Sequence, residues 1–141
     1  MGYRELLESA EPLSPEARCS YCRLRYDKQP FGPLGFQADH VMPQWKRPDL
    51  ENDPSNLVWA CIRCNIIKGG RFEGRDALTN SVVMFFHPRR QAWESHFAGV
   101  PTGVIHGVTP TGRVTVHGLR HNMSPDVVRP RAEGFEEGWW P

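Results

Sequence analysis

The sequence predicts a small α+β fold, and three observations support this prediction. The chain has 141 residues, enough for one modest domain. Its apolar residues form short segments with strand-like or helix-like spacing, separated by many of the 13 glycines and 13 prolines. All four cysteines occur as two Cys-x-x-Cys pairs within residues 19–64. A small apolar core usually needs a cross-link, and the cysteines are the candidates for it.

Local patterns predict each element in turn. Residues 3–10 have helical apolar spacing, and 14–17 resemble an N-cap with proline at the first position of a second short helix. A helix from Pro110 competes with a hairpin over 104–117, because Val114-Thr115-Val116 favours strands. In chain order, the other predicted elements are a strand at 36–41, a strand at 57–60, a helix at 63–68, a strand at 82–86, a helix at 90–97, a strand at 104–108, an end of the Pro110 helix near Arg120 with Asn122 as C-cap, and a short helix from Ser124.

Charge and hydropathy restrict the environment more than the function. The net charge is +1, but residues 87–131 carry six arginines against Glu94 and Asp126. This excess is compatible with phosphate contacts and equally typical of a solvated face. No apolar run approaches the ~20 residues of a membrane span, and the N-terminus lacks a signal-peptide pattern. We therefore expect a soluble, cytoplasmic protein in which thiols stay reduced.

The cysteine pairs predict a structural zinc site. Cys19-Ser20-Tyr21-Cys22 and Cys61-Ile62-Arg63-Cys64 each place two thiols on one tight turn, so that together they can form a tetrahedron. The expected ligands are Cys19, Cys22, Cys61 and Cys64. Two disulfides or a redox pair are the alternative, which a reducing compartment disfavours. A closed four-cysteine site is structural, so zinc alone predicts no chemistry.

Further motifs lie between and after the cysteine pairs. They are Asp39-His40-x-x-Pro43, Asn56-Leu57, and Cys61-x-x-Cys64-Asn65-x-x-Lys68. In this order they resemble the HNH endonuclease family over residues 19–69, and residues 87–116 are similar to the C-terminal extension of stand-alone bacterial members. The resemblance implies a zinc-bound ββα-metal (His-Me finger) core at 19–69. A helical lead-in at 1–18 would precede this core, and an extension at 70–141 would pack on it.

The resemblance also implies an activity, the metal-dependent hydrolysis of DNA phosphodiester bonds by nicking or double-strand cleavage. It assigns His40 as the general base and Asp39 with Asn65 as ligands of a catalytic Mg²⁺ or Mn²⁺. Asn56 would brace the loop that orients His40. The chemistry needs these residue types, since an imidazole titrates near neutrality and hard cations prefer oxygen ligands.

Two questions of geometry remain at this stage. Successive strand residues face opposite sides, so we expect a backbone distortion that lets both Asp39 and His40 reach one site. Lys68 shares a helical face with Asn65, where a phosphate contact and a helix-end role are equal alternatives. Arg89 and Arg90 are further candidates for DNA phosphate contacts, although a solvated face explains them as well.

A non-catalytic alternative accounts for part of the same pattern. A zinc-knuckle module that binds nucleic acid would need the four cysteines but not the Asp39-His40 pair. In that case His40 would be incidental.

Overall fold

The computed structural model describes residues 2–141 and confirms the α+β class. Within these residues, four helices accompany six short strands, which form three antiparallel pairs. The elements are α1 (Tyr3–Ala10), β1 (Phe36–His40), β2 (Leu57–Cys61), α2 (Ile62–Lys68), β3 (Glu73–Arg75), β4 (Val82–Met84), β5 (Phe97–Gly99), β6 (Ile105–Gly107), α3 (Pro110–Gly118) and α4 (Pro125–Glu137).

The centre of the fold is the β1–β2–α2 unit. β1 and β2 pair antiparallel in one continuous register, from Phe36 opposite Cys61 to His40 opposite Leu57. All five residues of β2 are buried, and the strand leads directly into α2. Because the register continues through residues 39 and 40, the backbone distortion expected there was wrong. β1 simply ends at His40, so both side chains lie at the edge of the pair.

Three other local predictions were wrong because tertiary contacts compete with the local pattern. Residues 14–17 form only a turn, in which the carbonyl of Ala17 accepts from Tyr26 N (2.7 Å) instead of continuing a helix. The predicted helix at 90–97 is a 3₁₀ turn followed by β5, whose first residue Phe97 is buried. Asn122 does not cap α3, since its side chain forms two hydrogen bonds with the backbone of Ile105.

The helix at 110–118 is confirmed over the competing hairpin. Thr109 is its N-cap and accepts a hydrogen bond from Gly112 N (3.0 Å), and Pro110 starts the first turn. α4 runs for 13 residues and is longer than the short helix expected from Ser124. Of the helices in residues 2–141, none has the length and apolar character needed to cross a membrane.

Tryptophans beyond residue 69 contact the first cysteine pair. Trp93 Nε1 donates to the carbonyl of Tyr21 (2.9 Å), and Trp140 Nε1 donates to that of Cys22 (3.0 Å). Both indoles are buried, so these hydrogen bonds form in surroundings where an unpaired backbone carbonyl would be costly. The later part of the chain thus packs directly against residues 19–22.

Thr115 offers a direct test of the packing of α3. Its hydroxyl is fully buried, donates to Thr111 O (2.7 Å) and accepts from Phe86 N (2.8 Å). Thr115→Val keeps the shape but leaves the buried Phe86 N–H without an acceptor, so we expect the free energy of unfolding to fall by about 1–3 kcal/mol. Urea denaturation measures this loss, with exposed Thr102→Val as the control. Equal stability of the two variants would contradict the assignment.

Candidate active site and zinc site

The four cysteines lie together and suit a zinc ion. Their Sγ atoms are within 4.8 Å of one another, and all four residues are buried. Cys22 Sγ and Cys61 Sγ are 3.8 Å apart, which is about the sulfur–sulfur spacing that four Zn–S bonds of about 2.3 Å give in a tetrahedron. All four cysteines are free rather than joined in disulfides. The arrangement therefore fits a closed structural zinc site.

Backbone N–H groups support this cluster. Cys22 N and Cys64 N each lie 3.5 Å from the sulfur three residues earlier, in Cys19 and Cys61. Cys61 is at the same time the N-cap of α2, so the second pair closes the first turn of that helix. This turn lies directly after β2, so the second cysteine pair fixes the position of α2 relative to the strand.

Asp39 is buried in a small polar network. Its carboxylate is 4% exposed and accepts a hydrogen bond from the Tyr21 hydroxyl (2.6 Å). Lys68 Nζ lies 3.2 Å from each carboxylate oxygen and donates to the carbonyl of His40 (2.7 Å). Burial raises the pKa of Asp39, although the Lys68 charge opposes this shift. Burial likewise lowers the pKa of Lys68 against the attraction of Asp39.

The position of Lys68 disagrees with a contact to a DNA phosphate. The residue is 1% exposed, and its ammonium group is held by Asp39 and the His40 backbone. It also differs from a solvated lysine at a helix end. Its position instead links the last turn of α2 to the end of β1, because one ammonium group binds a side chain and a carbonyl of that strand.

His40 is half-buried, and two residues orient its ring. Its Nε2 lies 2.9 Å from the carbonyl oxygen of Glu51. The ring of Tyr3 packs edge-on against it at 4.5 Å, and the Tyr3 hydroxyl donates to the Glu51 carboxylate. A neutral imidazole that donates its Nε2 proton to the Glu51 carbonyl has an unprotonated Nδ1, which is the form a base requires.

Asn56 holds the loop that follows β1. Its Oδ1 accepts from Met42 N (2.9 Å), and its Nδ2 donates to Met42 O (3.0 Å). Its own carbonyl accepts from Val41 N (2.9 Å). These three hydrogen bonds fix the backbone immediately after His40, at the start of the turn that contains Pro43.

One open cleft brings three of the expected site residues together. Asp39, His40 and Asn65 line a cleft of about 510 Å³ between the end of β1 and the second half of α2. Trp45 and Ile66, each 68% exposed, stand at its rim. The cleft therefore combines a carboxylate, an imidazole and an amide oxygen at a surface that a large substrate can approach.

The two arginines proposed for phosphate contacts have different surroundings. Arg89 directs its guanidinium to the carbonyl of Leu57, with Nε at 3.2 Å and Nη2 at 2.7 Å, and to the Glu11 carboxylate at 2.8 Å. Leu57 is the register partner of His40, so Arg89 contacts the strand pair at the end where His40 lies. Arg90 is exposed.

Sequence analysis missed three residues that contact the candidate catalytic groups. Tyr21 lies inside the first Cys-x-x-Cys pair, where an aromatic residue between the two cysteines was the available sign. Tyr3 and Glu51 carry no local sign, since they lie in α1 and in the loop after Pro43 and meet His40 only in the folded chain.

Comparison with known proteins agrees with this site. Residues 19–71 match the model of the family described as HNH endonuclease. This segment, which holds β1, β2 and α2, is therefore a member of the HNH endonuclease family, and nucleic acid is the substrate that such a domain implies.

A relative matches nearly all of the chain. The Septu protein PtuA of Bacillus mycoides (strain KBAB4) is 26% identical over 156 residues, which cover 94% of this chain and 21% of PtuA. The chain thus spans about a fifth of the length of this relative. No solved structure matches the chain.

Zinc removal tests the four-cysteine site. Because the cluster joins separate segments of a small core, we expect chelation at neutral pH to abolish the near-UV circular dichroism of the aromatic core. Added Zn²⁺ should restore the signal, whereas Mg²⁺ should not. Elemental analysis should give one zinc per chain. A metal-free protein with an unchanged near-UV spectrum would be the contrary result.

Lys68→Met tests the buried ion pair. The variant leaves Asp39 buried beside Tyr21 without its cation, so we expect the free energy of unfolding to fall by about 3–5 kcal/mol. Adding Asp39→Asn should recover part of that loss, because the uncompensated charge is then removed. Urea denaturation of the zinc-loaded proteins measures both, with the exposed Lys28→Met as control. Purely additive effects of the two substitutions would exclude a direct pair.

Proposed function

We propose that this chain is a metal-dependent endonuclease that hydrolyses DNA phosphodiester bonds, by nicking or by double-strand cleavage. The observation that carries the proposal is the shared cleft of Asp39, His40 and Asn65 at the β1–β2–α2 junction. These three residue types supply a base and two oxygen ligands, which phosphodiester hydrolysis needs.

His40 is the general base in this proposal. Its ring is held from one side by the Glu51 carbonyl and packed on another by Tyr3, so the imidazole has one orientation. Nδ1 then takes the proton from the attacking water while Nε2–H keeps its hydrogen bond to the backbone. Asn56 contributes by fixing the loop after His40 through Met42.

Asp39 and Asn65 would hold the catalytic Mg²⁺ or Mn²⁺. One carboxylate oxygen and one amide oxygen are donors that such hard cations accept, and they leave coordination positions for water and phosphate. A bound divalent cation relieves charge on the phosphate and assists the leaving oxygen. The donors fit this ion, although the positive charge of Lys68 lies beside the same carboxylate.

Lys68 should weaken metal binding at Asp39. Its ammonium group already balances Asp39, and both residues are buried. A second cation at this carboxylate meets the repulsion of Lys68, so we expect weak metal affinity and activity that rises with added metal. Tyr21 holds the other side of the carboxylate and limits its rotation.

The substrate approaches across exposed surface. The rim residues Trp45 and Ile66 leave the cleft open, and the exposed Arg90 remains a candidate for a phosphate contact. We further propose that residues 1–18 act as a lead-in, that 19–69 form the catalytic core, and that 70–141 form an extension supporting it.

Plasmid cleavage tests the proposed activity. We expect supercoiled plasmid to be nicked or linearised with Mg²⁺ or Mn²⁺ and to stay intact with EDTA in short incubations that preserve the zinc. His40→Ala should lower the cleavage rate by about 100- to 10,000-fold, the usual contribution of a general base. The exposed His106→Ala is the matched control and should cleave normally.

The same assay separates the alternative function. A zinc-knuckle module without catalysis would shift the plasmid in a gel, yet leave it uncut with every metal, in both wild type and His40→Ala. Intact plasmid under conditions of demonstrated binding would overturn the nuclease proposal in favour of that module.

A further inference from the structure

A small cavity lies against the four-cysteine cluster, on a side formed by the later part of the chain. It is lined by Cys22, Cys61 and Cys64 together with His121 and Arg131. Arg63, Arg120 and Ser124 also line this cavity. Of the lining residues, His121 and Arg131 are both fully buried and lie outside the segment that matches the HNH family. Neither is used by the proposed active site, so their burial at this place requires its own explanation.

Arg131 lies in α4 and is fully buried. Its Nε donates to Gly103 O (2.8 Å) and its Nη2 to His121 O (2.7 Å). Its Nη1 has no hydrogen-bond partner within the described residues, 2–141. Over that same range no carboxylate forms an ion pair with it. An uncompensated buried charge is strongly destabilising, so this guanidinium calls for an anion.

Trp140 places that guanidinium beside Cys22. The Arg131 Cζ lies 5.6 Å from the centre of the Trp140 ring, and Trp140 Nε1 donates to the Cys22 carbonyl. Arg131 and Cys22, one of the expected zinc ligands, line the same small cavity.

His121 has the same deficit. It is 2% exposed, and neither ring nitrogen has a hydrogen-bond partner among the residues described. An imidazole carries at least one N–H whatever its protonation state. One buried donor on this ring therefore lacks an acceptor, although the ring borders the cavity that three cysteines also line.

The four-cysteine cluster, with zinc bound, is an anion at the cavity that both residues line. Four thiolates around Zn²⁺ carry a net charge of −2, in a site closed to solvent. We propose that, in the zinc-loaded protein, Arg131 Nη1 and a His121 ring N–H donate hydrogen bonds to the zinc-bound thiolates, and that the Arg131 charge offsets one of the two negative charges. The later part of the chain thereby becomes an outer shell of the zinc centre. Donors in such a shell commonly change metal affinity by about 10- to 100-fold.

Zinc retention is the first measurement, made on the full chain by competition with a chromogenic chelator. Arg131→Met removes the charge while keeping most of the side-chain length, and we expect it to weaken zinc binding by about tenfold or more. Arg129→Met, exposed in the same helix, should bind zinc as the wild type does. Thr115→Val serves as a second control, since it destabilises the fold away from the cysteines.

Cobalt substitution reports on the thiolates themselves. Removal of an N–H···S hydrogen bond leaves the sulfur more electron-rich, so thiolate-to-Co²⁺ charge-transfer bands should move to lower energy. We expect this shift in Arg131→Met and in His121→Phe, which keeps a buried aromatic ring without its N–H. Thr115→Val and Arg129→Met should leave the bands in place. If Arg131→Met does not fold, His121→Phe alone decides the point.

Two results would overturn the proposal. One is an unchanged cobalt spectrum in the folded variants, which would mean that neither residue contacts a thiolate. The other is a loss of zinc affinity in Arg131→Met no greater than that in Thr115→Val, which would assign Arg131 a purely structural role through its carbonyl bonds. Neither measurement depends on nuclease activity.

Discussion

The convergence of four buried sulfurs is the constraint on which the rest of the structure depends. It joins the turn at 19–22 to the junction of β2 and α2, two segments far apart in the chain. This closure brings Tyr21 against Asp39 and sets where α2 starts. In a chain with short strands and helices, such a cross-link replaces part of the apolar core that the sequence is too small to build.

The seven residues of α2 connect that closure to the candidate chemistry. Cys64 faces the sulfur cluster, Asn65 faces the cleft, and Lys68 returns to Asp39. Because these side chains share one short helix, displacement of the helix would disturb the four-cysteine cluster and the candidate catalytic cleft together. Two buried cations lie in or near this helix, Lys68 and Arg131, and each needs an opposite charge close by. For Lys68 that partner is visible, and for Arg131 we infer it.

Sequence analysis predicted an element correctly where the signals that form it lie within a few residues of each other in the chain. β1, β2, α2 and α3 were predictable because apolar spacing, N-caps and glycine stops act within a few residues. The turn at 14–17 and the strand at Phe97 were not, because each depends on a backbone partner beyond the few residues that a local pattern covers. Ala17 accepts from Tyr26 N, and Phe97 pairs with Gly107. Asn122 has the composition of a cap, yet its amide pairs with the Ile105 backbone.

The amino-acid sequence by itself determined the α+β class, the four cysteines that form the candidate zinc site and the order of the HNH motif, because spacing along the chain encodes each of them. Only the tertiary structure decided what surrounds those groups. It buried Lys68 on Asp39, seated His40 between Tyr3 and the Glu51 carbonyl, and placed Arg131 beside the cysteines. Those outcomes depend on contacts between residues far apart in sequence, where burial leaves each polar group in need of a specific partner.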